Sequence, residues 1–165
     1  MEGSRLIDLS KTTILVPIKM DSIDRSENFY FLMKWLRAKF RTNIIVMENS
    51  SDGTFHYEGC EKFVDVYMQM ICKVFHRTAM LNSMARAAKT PVIALYDADT
   101  IVDPPMALKV CQDEILLGTS HFGTPFNSEN HCVSRNPAMH NFFDTLDHDI
   151  LKICEIRKAR MPFAG

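Results

Sequence analysis

No pair of cysteines in this chain takes the Cys-x-x-Cys spacing of a zinc site or a redox dithiol. The five cysteines, Cys60, Cys72, Cys111, Cys132 and Cys154, are odd in number and irregularly placed. That argues against a disulfide framework and for reduced thiols in a cytoplasmic setting. Long apolar runs are missing too: nothing approaches the roughly 20 residues a membrane helix needs, so no membrane span is expected. Met1 to Lys11 is polar and the apolar stretch Thr12 to Ile18 is short, which argues against a secretory leader. Neither sign of charge dominates. With 19 Lys and Arg against 20 Asp and Glu, a formal net charge of -1 and no basic run, nucleic acid and anionic membranes are not the expected main partners. No internal repeat, low-complexity tract or linker is visible, so residues 1–165 read as one domain.

What is present is ordinary for a globular chain, with 47% hydrophobic and 24% charged residues. Thr12 to Ile18 is a β-branched strand leading to a proline, followed by a polar loop, Lys19 to Asp24. From Arg25 to Phe40 the apolar residues Phe29, Leu32, Met33, Leu36 and Phe40 recur at helical intervals, with Ser22 or Asp24 as N-cap. Asn43 to Met47 is a second apolar strand. Val64 to Ile71 alternates apolar and polar residues and reads as a third. A helix is expected over Thr78 to Lys89, a strand over Pro91 to Tyr96, and a helix over Pro105 to Leu117 with proline in its first turn. His121 to Phe126 fits a strand and turn, and Pro137 to Arg157 reads as helical. Alternating strands and helices predict an α/β fold, a mostly parallel Rossmann-like sheet with helices on both faces.

The tetrapeptide Tyr96-Asp97-Ala98-Asp99 carries the most chemical information. It follows the run Pro91 to Leu95, apolar enough to be buried on both sheet faces. In extended backbone, carboxylates two residues apart point the same way. At the carboxyl end of a parallel strand they face the crevice where open α/β sheets take ligands. Mg²⁺ or Mn²⁺ bridging carboxylate and phosphate oxygens would relieve their mutual repulsion. A solvated acidic loop is the alternative.

Four places fall at carboxyl ends of the expected strands: Pro17 to Arg25, Glu48, Phe75 to Thr78, and Asp97 to Asp99. A nucleotide-diphosphate ligand would use them in distinct ways. Pro17 and Ile18 could wall the base, and Glu48 could accept a hydrogen bond from base or ribose. Arg25 and Arg77 carry the forked guanidinium suited to phosphate. Asp97 could take a ribose hydroxyl or a metal-bound water, with Asp99 the direct metal ligand.

These segments also resemble a known family. Ile14-Leu15-Val16-Pro17, Asp21-Ser22-x-x-Arg25-x-x-Asn28, Asn43-Ile44-Ile45-Val46-x-Glu48, Phe75-His76-Arg77-Thr78-x-x-Leu81-Asn82 and Asp97-x-Asp99 are similar, in that order, to motifs of family-two glycosyltransferases. The likeness is to the group with galactosyltransferase-like and chondroitin-polymerase-like domains, and it covers Lys11 to Leu117. It implies the GT-A fold, a nucleotide-diphosphate-sugar donor with UDP the usual nucleotide, Mn²⁺ or Mg²⁺ at Asp99 and Asp97, and inverting transfer to a glycan or other acceptor hydroxyl. It also implies that Asp21 belongs to the donor site.

The chain departs from the family after Asp99. The family's acceptor half carries a Gly-rich segment and an acidic pair that deprotonates the acceptor. Here Met161 to Gly165 resembles the approach to that segment, and no such pair is found. Asp144, Asp147 and Asp149 are the clustered acids downstream, and a solvated helical face accounts for them. The expectation is therefore the donor-binding part of a glycosyltransferase, with the catalytic base unassigned and a partner chain or homo-oligomer open. A catalytically inactive nucleotide-sugar-binding module and a sugar-phosphate nucleotidyltransferase remain as alternatives. Against the latter, the loop Lys19-Met20-Asp21-Ser22 has none of the glycines that class uses after its first strand.

Overall fold

The computed structural model describes residues 6–56, 59–126, 129–133, 144–145 and 156–160. The chain divides into two compact units, Met1–Thr124 and Pro125–Gly165. The first is α/β. Its strands β1 (Ile7–Ile18), β2 (Phe40–Ser50), β3 (Val66–Ile71) and β4 (Val92–Leu95) form one all-parallel sheet in the order β3-β2-β1-β4. Helices α1 (Ile23–Lys39), α2 (Arg77–Ala87) and α3 (Met106–Leu116) connect or follow them.

The order of the strands decides where the helices lie. The step from β1 to β2 and the return from β3 to β4 run in opposite directions across the sheet. Right-handed crossovers therefore put α1 and α2 on opposite faces. Packing agrees: Leu15, Ile45 and Met47 form a buried cluster with Met80, Leu81 and Met84 of α2, and Met68 and Met70 of β3 join it. Thr12, on the other face of β1, donates from Oγ1 to Gln112 Oε1 of α3 at 2.8 Å, which sets α3 opposite α2. Both faces are covered.

Helix α1 is capped by Ser22, whose hydroxyl accepts from Arg25 N, and it ends at Lys39. Phe40, expected inside the helix, is instead the first residue of β2. The helix buries more than the expected stripe, because Phe31 and Trp35 add a second row four residues apart. Trp35 meets Phe40 edge-on with ring centroids 5.3 Å apart. A fully buried side chain of this size contributes about 1.5–3 kcal/mol. Arg37 ties the end of α1 to two other segments, donating to Thr42 O, Phe63 O and Asp65 Oδ2 at 2.7–2.8 Å.

Three expectations need correction. Strand β4 is not buried on both faces: among the described residues it pairs only with β1, and Ile93 and Leu95 are 43% and 56% exposed. Edge position, which a single-strand pattern does not report, is the reason. His121 to Phe126 forms no strand; helix α3 gives way to Gly118 at φ +73°, the left-handed conformation that ends helices, and an irregular exposed segment follows. Of the helix expected over Pro137 to Arg157, Ile156 and Arg157 belong to strand β6 (Ile156–Arg160), which pairs antiparallel with β5 (Glu129–Val133) in the second unit. Residues 144–145 are helical, and the rest of that stretch, with Asp147 and Asp149, lies outside the described residues.

Candidate functional site

Because β4 sits on the far side of β1 from β2 and β3, the chain reverses its direction of travel across the sheet at β1. The crevice at such a reversal, outside the carboxyl ends of the strands, is where open α/β sheets take ligands. Here the ends of β1 and β4 meet: Leu15 is in register with Leu95, and Tyr96 N donates to Leu15 O at 3.0 Å. The loops leaving these two ends, with the starts of α1 and α2, carry Lys19, Asp21, Arg25, Arg77, Asp97 and Asp99.

Two clusters of opposite charges result. Asp21 takes Arg25 Nη1 on Oδ1 at 2.8 Å and Lys19 Nζ on Oδ2 at 3.4 Å. Arg77 donates through Nη2 at 2.7 Å and Nε at 3.2 Å, both to Asp97 Oδ1. The two donors on one oxygen leave Asp97 Oδ2 to other partners. Asp97 and Arg77 are exposed, as is Asp99, which meets the hydroxyl of Thr100 at 3.4 Å. Lys19, a loop residue whose signal in the sequence is the carboxylate two positions on, joins Asp21 at the site.

The backbone at the paired aspartates differs from expectation. Strand β4 ends at Leu95, and Thr100 N donates to Asp97 O at 3.3 Å, so Asp97 to Thr100 is a turn. Asp97 and Asp99 therefore sit on a turn and not in extended alternation. Tyr96, just before it, is 4% exposed, and burial pushes its hydroxyl pKa up.

The other expected residues lie deeper. Pro17 and Ile18 are buried inside β1, Ile18 at 2% exposure and Pro17 in register with Met47. Glu48, at 1% exposure, has each oxygen engaged: His56 N donates to Oε1 at 2.9 Å and Tyr67 Oη to Oε2 at 2.6 Å. As it stands the carboxylate holds the segment after β2 against β3. His76 is exposed at the α2 N-terminus and provides no side-chain cap.

The donor chemistry of Asp97 and Asp99 suits a hard divalent cation, since both offer carboxylate oxygens at an exposed turn. Among the described residues no three His, Cys, Asp or Glu side chains gather as a ligand set. A cation held here would complete its shell with water or phosphate oxygens, as Mg²⁺ does with one or two carboxylates. Mn²⁺ takes the same oxygen donors.

No protein-family model matches the chain. No curated protein matches it. Among the described residues, no helix is long and apolar enough to cross a membrane.

Proposed function

We propose that this chain is the donor-binding part of a glycosyltransferase. It binds a nucleotide-diphosphate sugar, UDP-linked in the first instance, with a divalent cation at Asp97 and Asp99, and the sugar passes to an acceptor hydroxyl with inversion. The observation that carries this reading is the placement of the pairs Asp21–Arg25 and Arg77–Asp97, with Asp99, on segments that follow parallel strands of a sheet whose strand order reverses at β1. The ordered motifs that resemble family-two glycosyltransferases supply the substrate class.

The chemistry asks little covalent work of these residues. When bound, the cation would act as a Lewis acid that stabilises the departing diphosphate. Arg25 and Arg77 would present guanidinium forks to the phosphate oxygens, adding fixed positive charge where negative charge develops. Asp97 and Asp99 would hold the cation, and Asp21 would orient Arg25. The base that accepts the acceptor's proton is not assigned to any residue.

Thermal unfolding with UDP, with and without Mn²⁺, tests the reading. Ligand at one hundred times its dissociation constant stabilises by about 2.7 kcal/mol. The expected result is a shift with UDP and Mn²⁺ together that Asp99→Asn largely removes. No shift at millimolar UDP and Mn²⁺ would refute donor binding. Donor hydrolysis or transfer then separates an active transferase from a binding module, and product from UTP plus sugar phosphate would favour a nucleotidyltransferase.

A further inference from the structure

The guanidinium offered to the diphosphate is already engaged. Arg77 sits on Asp97 Oδ1 with two donors, and Asp97 is one of the carboxylates offered to the cation. One side chain thus stands between both ligands of the proposed site. Resting on the donor-site reading above, we infer that Arg77 is an exchangeable counter-ion: it neutralises Asp97 in the free protein and moves to the diphosphate when cation and nucleotide enter together.

The physical basis is the sign of each contact. A dication approaching Asp97 Oδ2 meets an unfavourable positive charge held on the neighbouring oxygen. A diphosphate approaching Arg77 meets an unfavourable carboxylate. Each ligand alone is opposed by half of the pair. When both are present, the cation takes over Asp97 and the phosphates take over Arg77, so both charges are matched again. The pair is half exposed on each side, 46% for Arg77 and 59% for Asp97, so the exchange needs no core rearrangement. An exposed ion pair of this kind is worth little by itself, which makes it easy to trade. The consequence is positive coupling: each ligand raises the affinity for the other by the same factor.

Calorimetric titration of the intact chain tests this without an activity assay. Mn²⁺ alone is titrated first, then UDP at saturating Mn²⁺, for the wild type, Arg77→Ala and Arg77→Lys. Removing a unit charge a few ångströms from a dication at moderate salt is expected to tighten Mn²⁺ alone by roughly three- to tenfold in Arg77→Ala. The same variant should weaken UDP in the presence of Mn²⁺. Arg77→Lys keeps the charge and loses the fork, so Mn²⁺ alone should stay within about twofold of wild type while UDP weakens. Opposite signs for the two ligands in Arg77→Ala support the exchange. If Arg77→Ala weakens Mn²⁺ as well, Arg77 is a fixed support for Asp97 and the inference fails, with the donor site left standing. If the wild type binds neither ligand, the donor-site reading itself fails and the inference falls with it. Unchanged Trp35 fluorescence in each variant confirms that the fold is intact.

Discussion

Arg37 offers the sharpest test of what holds this fold together. Its guanidinium donates to three acceptors on two segments: Thr42 O at the start of β2, and Phe63 O and Asp65 Oδ2 on the approach to β3. Asp65 Oδ2 also accepts from Ile44 N at 2.7 Å, and Asp65 N donates to Ile44 O at 3.0 Å. The last turn of α1, the first residues of β2 and the lead into β3 are therefore joined through one side chain. Hydrogen bonds to a charged donor contribute about 1.5–3 kcal/mol each when buried. The Arg37 side chain is 25% exposed and that of Asp65 46%, so water recovers part of the loss. Arg37→Ala is expected to cost about 2–4 kcal/mol. Arg37→Lys should recover less than half, because an ammonium cannot reproduce three fixed directions. Trp35 is the sole tryptophan and is fully buried beside Phe40, so urea unfolding followed by its fluorescence reports on this unit alone. A loss below about 1 kcal/mol in Arg37→Ala, or a lysine variant as stable as wild type, would refute the clamp.

Two further outcomes follow from burial. Cys60 is 4% exposed, and burial, together with the charges of Glu61 and Glu48, pushes its thiol up to about 11. Since the thiolate is the nucleophile, alkylation at pH 8 read by mass spectrometry should label Cys60 more slowly than half-buried Cys72, and the rate at Cys60 should climb as pH approaches 11; rapid labelling of native Cys60 would contradict the placement of its loop. The raised value also means the folded state holds this proton more tightly, so Cys60 contributes stability that is intact at neutral pH and is lost as pH rises from the model-compound value of 9.0 through about 11. Asn49-Ser50-Ser51 matches the N-glycosylation pattern, yet Asn49 is 2% exposed and its amide donates to Met70 O and Cys72 O. Amide hydrogen exchange followed by mass spectrometry should find the end of β2 protected, and rapid exchange there would show that it is open.

The α/β class was legible because hydrophobic period changes from strand to helix along the chain. Strands β1 and β2 were located from short apolar runs, although pairing extends each beyond its run: β1 starts at Ile7 and β2 spans Phe40 to Ser50. The alternation of Val66, Met68 and Met70 identified β3, and its out-of-phase Tyr67 turned out to serve Glu48 across the other face. That partnership spans 19 positions, and no local pattern encodes it. The same holds for Arg37, a helix-surface cation in sequence and a three-way donor in space. At the candidate site, the rim positions of Asp21, Arg25, Arg77, Asp97 and Asp99 followed from strand ends. The Arg77–Asp97 pair did not, because it joins residues 20 positions apart, whereas Asp21 and Arg25 stand at the local i,i+4 spacing. The burial of Pro17, Ile18 and Glu48 was also hidden: strand-end residues look exposed in sequence until flanking loops and neighbouring strands are placed.

The way charge is arranged at the rim bears on how such a site escapes misuse. Lys19, Arg25 and Arg77 are cations at the carboxyl edge of a parallel sheet, a location that would attract any phosphate in solution. Each is set against a carboxylate, Asp21 or Asp97. A free anion gains little there, since each cation it approaches is already balanced by a carboxylate that opposes the anion. A ligand that brings its own divalent cation offers a match for the displaced carboxylate as well. On the proposed donor-site reading, selectivity for a metal-bound diphosphate over bare phosphate would arise from the ion pairs themselves and would need no closed pocket. In titrations, inorganic phosphate without Mn²⁺ should bind at least about tenfold more weakly than UDP with Mn²⁺, and Asp97→Asn, which frees Arg77, should narrow that gap from both sides. A wider gap in Asp97→Asn would show that the pairing does not set the preference.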